Sequence, residues 1–206
     1  MTIEIWLAFV AAVAVFFVIP GPTMILVVSE SINHGKKSVL PLVSGVLLGD
    51  FVAMSVSLLG LGAILATSAT LFLALKWLGA CYLVYLGIKT WRQNPDILTK
   101  NKGNTGSSKK MFGSAFIVTA LNPKDIIFFV AFLPQFVNPA SELLPQLLLL
   151  MGTFLLIDML NIILYTVFAR TMRSKLNSVH TQRKINRVGG GALIGAGLVT
   201  ATMQRT

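Results

Sequence analysis

The chain has 206 residues, of which 55% are hydrophobic and 12% charged, with a net charge of +10. Globular domains carry about 25% charged residues, so this composition excludes an ordinary soluble domain. The excess of cations does not point to nucleic acid, because the basic residues fall in short polar gaps between apolar runs, where they orient membrane proteins. No charge occurs from Ile5 to Val28, and only Asp50 and Lys76 between Val39 and Ile88. Runs of about 18 or more apolar residues read as membrane-spanning helices. Cys81 is the single cysteine, which excludes an intrachain disulfide and leaves a small packed hydrophobe.

Six spans are predicted in chain order, over approximately 4–31, 39–64, 70–91, 112–134, 144–169 and 187–203. The first is read as a mature helix and not as a signal peptide: no basic segment precedes it and its apolar core is too long. The gaps after the first, third and fifth spans are polar. With their flanks they hold fourteen of the 17 Lys and Arg residues, from Lys36 and Lys37 through Lys89–Lys110 to Arg170–Arg187. The positive-inside rule puts these gaps in the cytoplasm and both termini outside. His34 and His180 then lie in cytoplasmic loops as solvated side chains. Residues 92–111, rich in Gly, Ser, Asn and Lys, read as a flexible linker between a first three-helix half (1–91) and a second (112–206).

The two halves echo each other. "IPGP" interrupts the first span and "LNPK" (Leu121–Lys124) the fourth. "GVLLGD" (Gly45–Asp50) in the second parallels "GTFLLID" (Gly152–Asp158) in the fifth. Gly79 and Gly87 in the third match the spacing of Gly189 and Gly197 in the sixth. Three spans is an odd number, so the second half enters the membrane from the opposite side and the repeat is inverted, as in many transporters. The fold class expected is therefore an all-α membrane protein of two inverted three-helix repeats. Gly45/Gly49 and Gly191/Gly195 form GxxxG pairs, read as close packing within the bundle, with a homodimer face as the second use of such pairs.

The two interruptions read as helix starts inside the membrane. Gly21 serves as N-cap before Pro22, and Asn122 as N-cap before Pro123, since proline at the first helical position sacrifices no hydrogen bond. Each start presents unsatisfied N–H groups and a positive dipole end. Two such ends converging from opposite sides suit a carboxylate. Lys124 adds a full charge there, and it opposes its own helix's dipole. Asp125, three residues after Asn122, reads as a cap partner.

Asp50 and Asp158 fall near the middle of their spans. A charge at that depth costs about 2.5–3.5 kcal/mol on insertion scales, so each should be paired, protonated or functional. Burial favours the neutral carboxyl and a nearby lysine the charged one, a balance suited to loading and releasing a proton. Asp158, Asn161 and Tyr165 form one polar stripe on the fifth span, as Asp50 and Ser57 do on the second. An ion pair of Lys124 with one aspartate is the structural alternative.

"PGP", "GxxxGD", "YLxYLG" (Tyr82–Gly87) and "LNPKxxxFFxxFLPQF" (Leu121–Phe136), in this order over almost the whole chain, resemble the LysE/RhtB family of bacterial amino-acid exporters. The first half is most similar to its homoserine/threonine/leucine branch. The resemblance implies a transporter without enzymatic activity or cofactor, moving small neutral amino acids out across the cytoplasmic membrane against protons. It directs attention to Pro20, Gly21, Pro22, Asn122, Pro123, Lys124 and Gln135, the last through the resemblance alone, and to Asp50 and Asp158 for proton coupling. Thr23, Asn161 and Tyr165 complete the expected substrate-binding set. The family usually has a small apolar residue where this chain has Asp125, which adds an acid beside the lysine.

Two other readings fit the sequence less well. A divalent-metal transporter would need several converging carboxylates, thiols or imidazoles, and the membrane interior offers Asp50, Asp125 and Asp158 beside a repelling Lys124. An intramembrane aspartyl protease would need a GxGD motif, but Leu47 and Leu155 stand three residues before the two aspartates.

Overall fold

The computed structural model describes residues 1–19, 21–67, 69–92, 107–138, 141–169 and 178–202. Pro20, most of the linker expected at 92–111, residues 170–177 and Arg205 lie outside the described residues. Among those described, every regular element is helical: α1 (Ile3–Val18), α2 (Pro22–His34), α3 (Val39–Thr67), α4 (Ala69–Arg92), α5 (Ser108–Ala120), α6 (Pro123–Ile127), α7 (Leu143–Val167) and α8 (Val179–Thr202). Short 3-10 turns follow α2 (Gly35–Ser38) and precede α7 (Leu133–Phe136), and a π turn, Phe128–Phe132, continues α6. Three helical stretches, Pro22–Gly60, Ser108–Phe136 and Leu143–Val167, are long and apolar enough to cross a membrane, and Ile3–Phe17 is a shorter apolar helix.

The polarity is reversed relative to a soluble protein. Leu40 (78%) and Leu59 (75%) are largely exposed, while Asp50, Asn122, Asp125 and Asp158 are buried. On α7 the buried face runs Gln146, Leu150, Phe154, Asp158, Ile162, Thr166 at four-residue spacing. Its outer face carries the leucines 144, 148, 156, 160 and 164. Hydrocarbon tolerates such a face and water does not.

Two apolar clusters sandwich the buried carboxyl groups. One joins Phe9, Val13 and Phe16 of α1 to Met54 of α3, Phe128 and Phe129 of the π turn, and Leu150 and Phe154 of α7. The other joins Val27 of α2 to Leu42 and Val46 of α3, Met111 and Ala115 of α5, and Ile162 of α7. Along α3 the buried stripe passes from Leu42 and Val46 through Asp50 to Met54. Along α7 it passes from Leu150 and Phe154 through Asp158 to Ile162. The two helices traverse the clusters in opposite directions, with their aspartates between them.

Glycine sets the closest helix contacts. A Cβ on Gly45 would lie 2.6 Å from the Phe112 carbonyl oxygen and one on Gly49 2.9 Å from that of Phe116, so α3 and α5 touch backbone to backbone. Between α4 and α8 the same holds for Gly87, 2.7 Å from the Gly190 oxygen, and for Gly197, 2.8 Å from that of Ala80. The Gly45/Gly49 expectation is met. The Gly191/Gly195 expectation is corrected: a Cβ on Gly195 meets nothing within 4 Å, and Gly191 faces only the Trp91 ring. The packing stripe of α8 is Gly190 and Gly197, two turns apart on one face and more than about 100° round the helix from the Gly191/Gly195 face.

The sixth helix also begins eight residues before the expected 187. Hydropathy detects the apolar part of a helix and not its hydrogen bonds. The first turns of α8 carry exposed Arg183 and Lys184, which an apolar window rejects.

Substituting Gly87→Ala is expected to destabilise the protein by about 1–3 kcal/mol through overpacking against a backbone that cannot yield. Gly152→Ala, at a helical position with open space, should instead stabilise by roughly 0.5–1 kcal/mol. Thermal unfolding of the detergent-purified variants checks both signs.

Candidate functional site

Where α1 stops at Val18, its last carbonyls lose their helical partners. Ile19 turns into extended backbone (φ −81°, ψ 113°), and the chain re-enters a helix at Pro22 with Gly21 as N-cap (φ −117°, ψ 179°). Buried carbonyls without partners are costly in a membrane interior. Side chains of the second half satisfy them. Lys124 Nζ donates to the carbonyls of Phe16 (3.0 Å) and Ile19 (2.8 Å), and Tyr165 Oη donates to that of Phe17 (3.2 Å). The ammonium also lies 4.0 Å from the centroid of the Phe16 ring, a cation–π contact.

The second break is built as the sequence suggests. Asn122 is the N-cap of α6, its Oδ1 accepting from the Lys124 backbone N–H (3.1 Å), with Pro123 in the first position. Asp125 is buried, but the Asn122 backbone N–H donates to the Thr119 carbonyl (3.0 Å) and not to Asp125, so the capping contact expected of Asp125 is not the one formed. Thr23 joins the breaks: its Oγ1 accepts from Asn122 Nδ2 (3.3 Å) and lies 3.2 Å from Thr119 Oγ1. Gly21 presents a bare face to the lysine, since a Cβ there would sit 3.4 Å from Lys124 Cδ.

Asp50 and Asp158 complete the site. Both carboxyls are buried and line the same cavity. Asp50 Oδ1 and Asp158 Oδ2 have no hydrogen-bond partner among the described residues. Buried acceptors left free in this way mark a place where something else binds or a proton resides.

A cavity of about 40 Å³ lies at the centre. It brings together Gly21 and Thr23 from the first break, Asn122, Lys124 and Asp125 from the second, and Asp50, Asp158, Asn161 and Tyr165 from the long helices. One water takes about 10–15 Å³ on this measure, so the cavity has room for a few waters. Pro22 and Pro123 shape the helix starts without lining the cavity. Gln135 lies apart from it, half-buried on the 3-10 turn Leu133–Phe136. Among the described residues no three His, Cys, Asp or Glu side chains group at metal-ligand spacing.

The family model for LysE type translocators matches residues 5–204. The chain belongs to this family. As a LysE type translocator it is 32% identical over 203 residues to a homoserine/homoserine lactone efflux protein of Salmonella typhimurium, with 98% of both chains covered. It is 30% identical over 187 residues to a leucine efflux protein of Enterobacter, covering 88% of this chain and 86% of the relative. A membrane protein of Vibrio cholerae is 31% identical over 202 residues, 98% of each chain. No solved structure matches.

Two features of this translocator's site escaped the sequence reading. Lys124 opposes the dipole of α6, which left its position unexplained by helix stability. In the fold it stands on the carboxyl end of α1, where a cation is favourable. Among the described residues it forms no ion pair with an aspartate, and it acts instead as a C-terminal cap on α1 supplied from the second half of the chain. The signal was available: a helix broken in a membrane must leave carbonyls, and only a donor elsewhere can meet them. The apolar lining by Phe16, Phe17 and Met24 carried no comparable signal.

Lys124→Met should leave the Ile19 carbonyl unsatisfied, strip the Phe16 carbonyl of its side-chain donor while it keeps the Ile19 N–H, and cost about 1–3 kcal/mol. Asn122→Ala should cost about 1 kcal/mol through the lost cap. Both are read as a lowered midpoint of unfolding in detergent, with Lys124→Met the larger.

Proposed function

We propose that the protein is a proton-coupled exporter of small neutral amino acids of the threonine, homoserine or leucine type in the bacterial cytoplasmic membrane. Six transmembrane helices form two inverted repeats, 1–91 and 112–206, joined by a cytoplasmic linker, with both termini outside. The observation that carries this reading is a cavity lined together by the half-helix starts at Gly21 and Asn122, by Lys124 and by the Asp50 and Asp158 carboxyls. The helix starts and the lysine suit a carboxylate and the aspartates an ammonium, the two groups common to every amino acid. The opposite course of α3 and α7 through the two apolar clusters supports the inverted repeat, and the names of the efflux relatives support the substrate class.

In this mechanism the substrate carboxylate draws Lys124 away from the Phe16 and Ile19 carbonyls and so unlatches the end of α1. The Asp50–Asp158 pair holds one proton, because two carboxyl groups buried at one small cavity do not both stay charged. The substrate ammonium displaces that proton, and the pair takes up another from outside once the amino acid has left. Proton and substrate thus occupy the same carboxyl groups alternately, which is the requirement for antiport. At about 40 Å³ the cavity admits no amino acid, so loading requires one apolar cluster to open. Rocking of the two halves about the site provides this.

Purified protein in proteoliposomes should exchange labelled threonine, homoserine or leucine and accumulate it when a pH gradient is imposed. Lys124→Met should reduce exchange about tenfold or more, the value of one charge-assisted hydrogen bond. Asp50→Asn and Asp158→Asn should abolish the response to the pH gradient. Gradient-driven accumulation that survives both aspartate changes would sink the coupling role. Exchange of divalent metals without any amino acid would overturn the exporter reading altogether.

A further inference from the structure

A second cavity, of about 230 Å³, lies between α1, the π turn and α8 and opens outward along the exposed Ala11 and Val15. Its lining is wholly apolar: Ala11, Ala12 and Val15 of α1, Phe128 and Phe132 of the π turn, Ala192 and Leu193 of α8, and Phe16. Phe16 also lines the polar cavity, where its ring meets the Lys124 ammonium. The ring is therefore a wall between the two spaces. It stands two residues before the end of α1, next to the break that releases the backbone.

Resting on the exporter reading, we propose that this apolar cavity is the side-chain subsite of the transported amino acid, opened to the polar site when the Phe16 ring turns aside, and that Ala12 and Ala192 set the largest side chain it takes. Phe16, which lines both this space and the polar cavity, favours a substrate side chain over a lipid chain as the occupant. The apolar one exceeds the roughly 150 Å³ that accommodates a benzene ring in a protein interior, so a leucine or phenylalanine side chain fits. Its volume comes from alanines at 11, 12 and 192, where leucines would fill it. The carboxylate and ammonium groups of the substrate remain at Lys124 and the aspartate pair, and the chain beyond Cα crosses the Phe16 position into an apolar space that binds by desolvation.

The test compares leucine, phenylalanine and threonine exchange in proteoliposomes containing the full-length protein, each variant first shown to be monodisperse. Ala192→Leu and Ala12→Leu approach the cavity from different helices, so a folding failure of one leaves the other. Each should lower the ratio of leucine to threonine exchange by about tenfold or more, the discrimination a hydrophobic pocket gives for one or two methylene groups. Val15→Ala should raise the ratio of phenylalanine to threonine. Equal loss of leucine and threonine exchange would mark a packing lesion and overturn the subsite. An unchanged ratio in both leucine variants, with phospholipid co-purifying with the unaltered protein and depleted from the variants, would assign the cavity to a lipid chain and overturn it as well. Failure of the unaltered protein to exchange any amino acid would remove the exporter reading and this subsite together, and is thereby distinguished from failure of the subsite alone.

Discussion

A helix broken inside a membrane leaves carbonyl groups that water cannot reach, and the rest of this structure follows from how they are met. At the end of α1 the carbonyls of Phe16, Phe17 and Ile19 each accept a hydrogen bond from a side chain of the second half, Phe16 accepting from the Ile19 N–H as well. The donors come from different elements, Lys124 on α6 and Tyr165 on α7. Satisfying the break therefore draws both into the centre of the protein. Because an unsatisfied buried acceptor costs about 1–3 kcal/mol, the two halves cannot separate at this point without a replacement partner. The same constraint that stabilises the fold fixes the position of Lys124 at the site.

The second consequence is that stability and function draw on the same atoms. Lys124 is both the cap of α1 and the cation facing the cavity. Thr23 both ties the two breaks and lines the space between them. A ligand anion that engages the lysine competes with the carbonyls, so occupancy of the site acts directly on the junction between α1 and α2. The carboxyl groups at the same cavity behave differently. Asp50 and Asp158 each keep one buried oxygen without a partner among the described residues. The cavity thus combines a latched donor with unfilled acceptors.

Glycine explains how helices carrying such groups approach closely enough. Backbone contact at Gly45 and Gly49 seats α3 on α5 and so brings Asp50 to the level of Thr119 and Asn122. The Gly87–Gly190 contact joins α4 to α8 and, through Gly189 against Ile19, reaches the broken end of α1. Leucine-rich outer faces do nothing comparable, because hydrocarbon is as apolar as they are and gives no preference for one partner.

Much of this was legible before any coordinates. The scarcity of charge sets the membrane class, and a proline after a good N-cap sets a helix start at Gly21–Pro22 and Asn122–Pro123. A lone aspartate at the middle of an apolar run predicts burial at a site, as found at Asp50 and Asp158. These are local rules, each decided by neighbours in sequence. Only the tertiary structure decided that Lys124 caps α1, that Gln135 stands clear of the cavity, and that Gly190 and Gly197, instead of Gly191 and Gly195, make the close contact. It also decided that α8 begins in polar sequence and that Phe16 divides two cavities. Each of these depends on which face of one helix meets another. A rotation of one residue, about 100°, changes that face while leaving composition, hydropathy and motif spacing almost as they were.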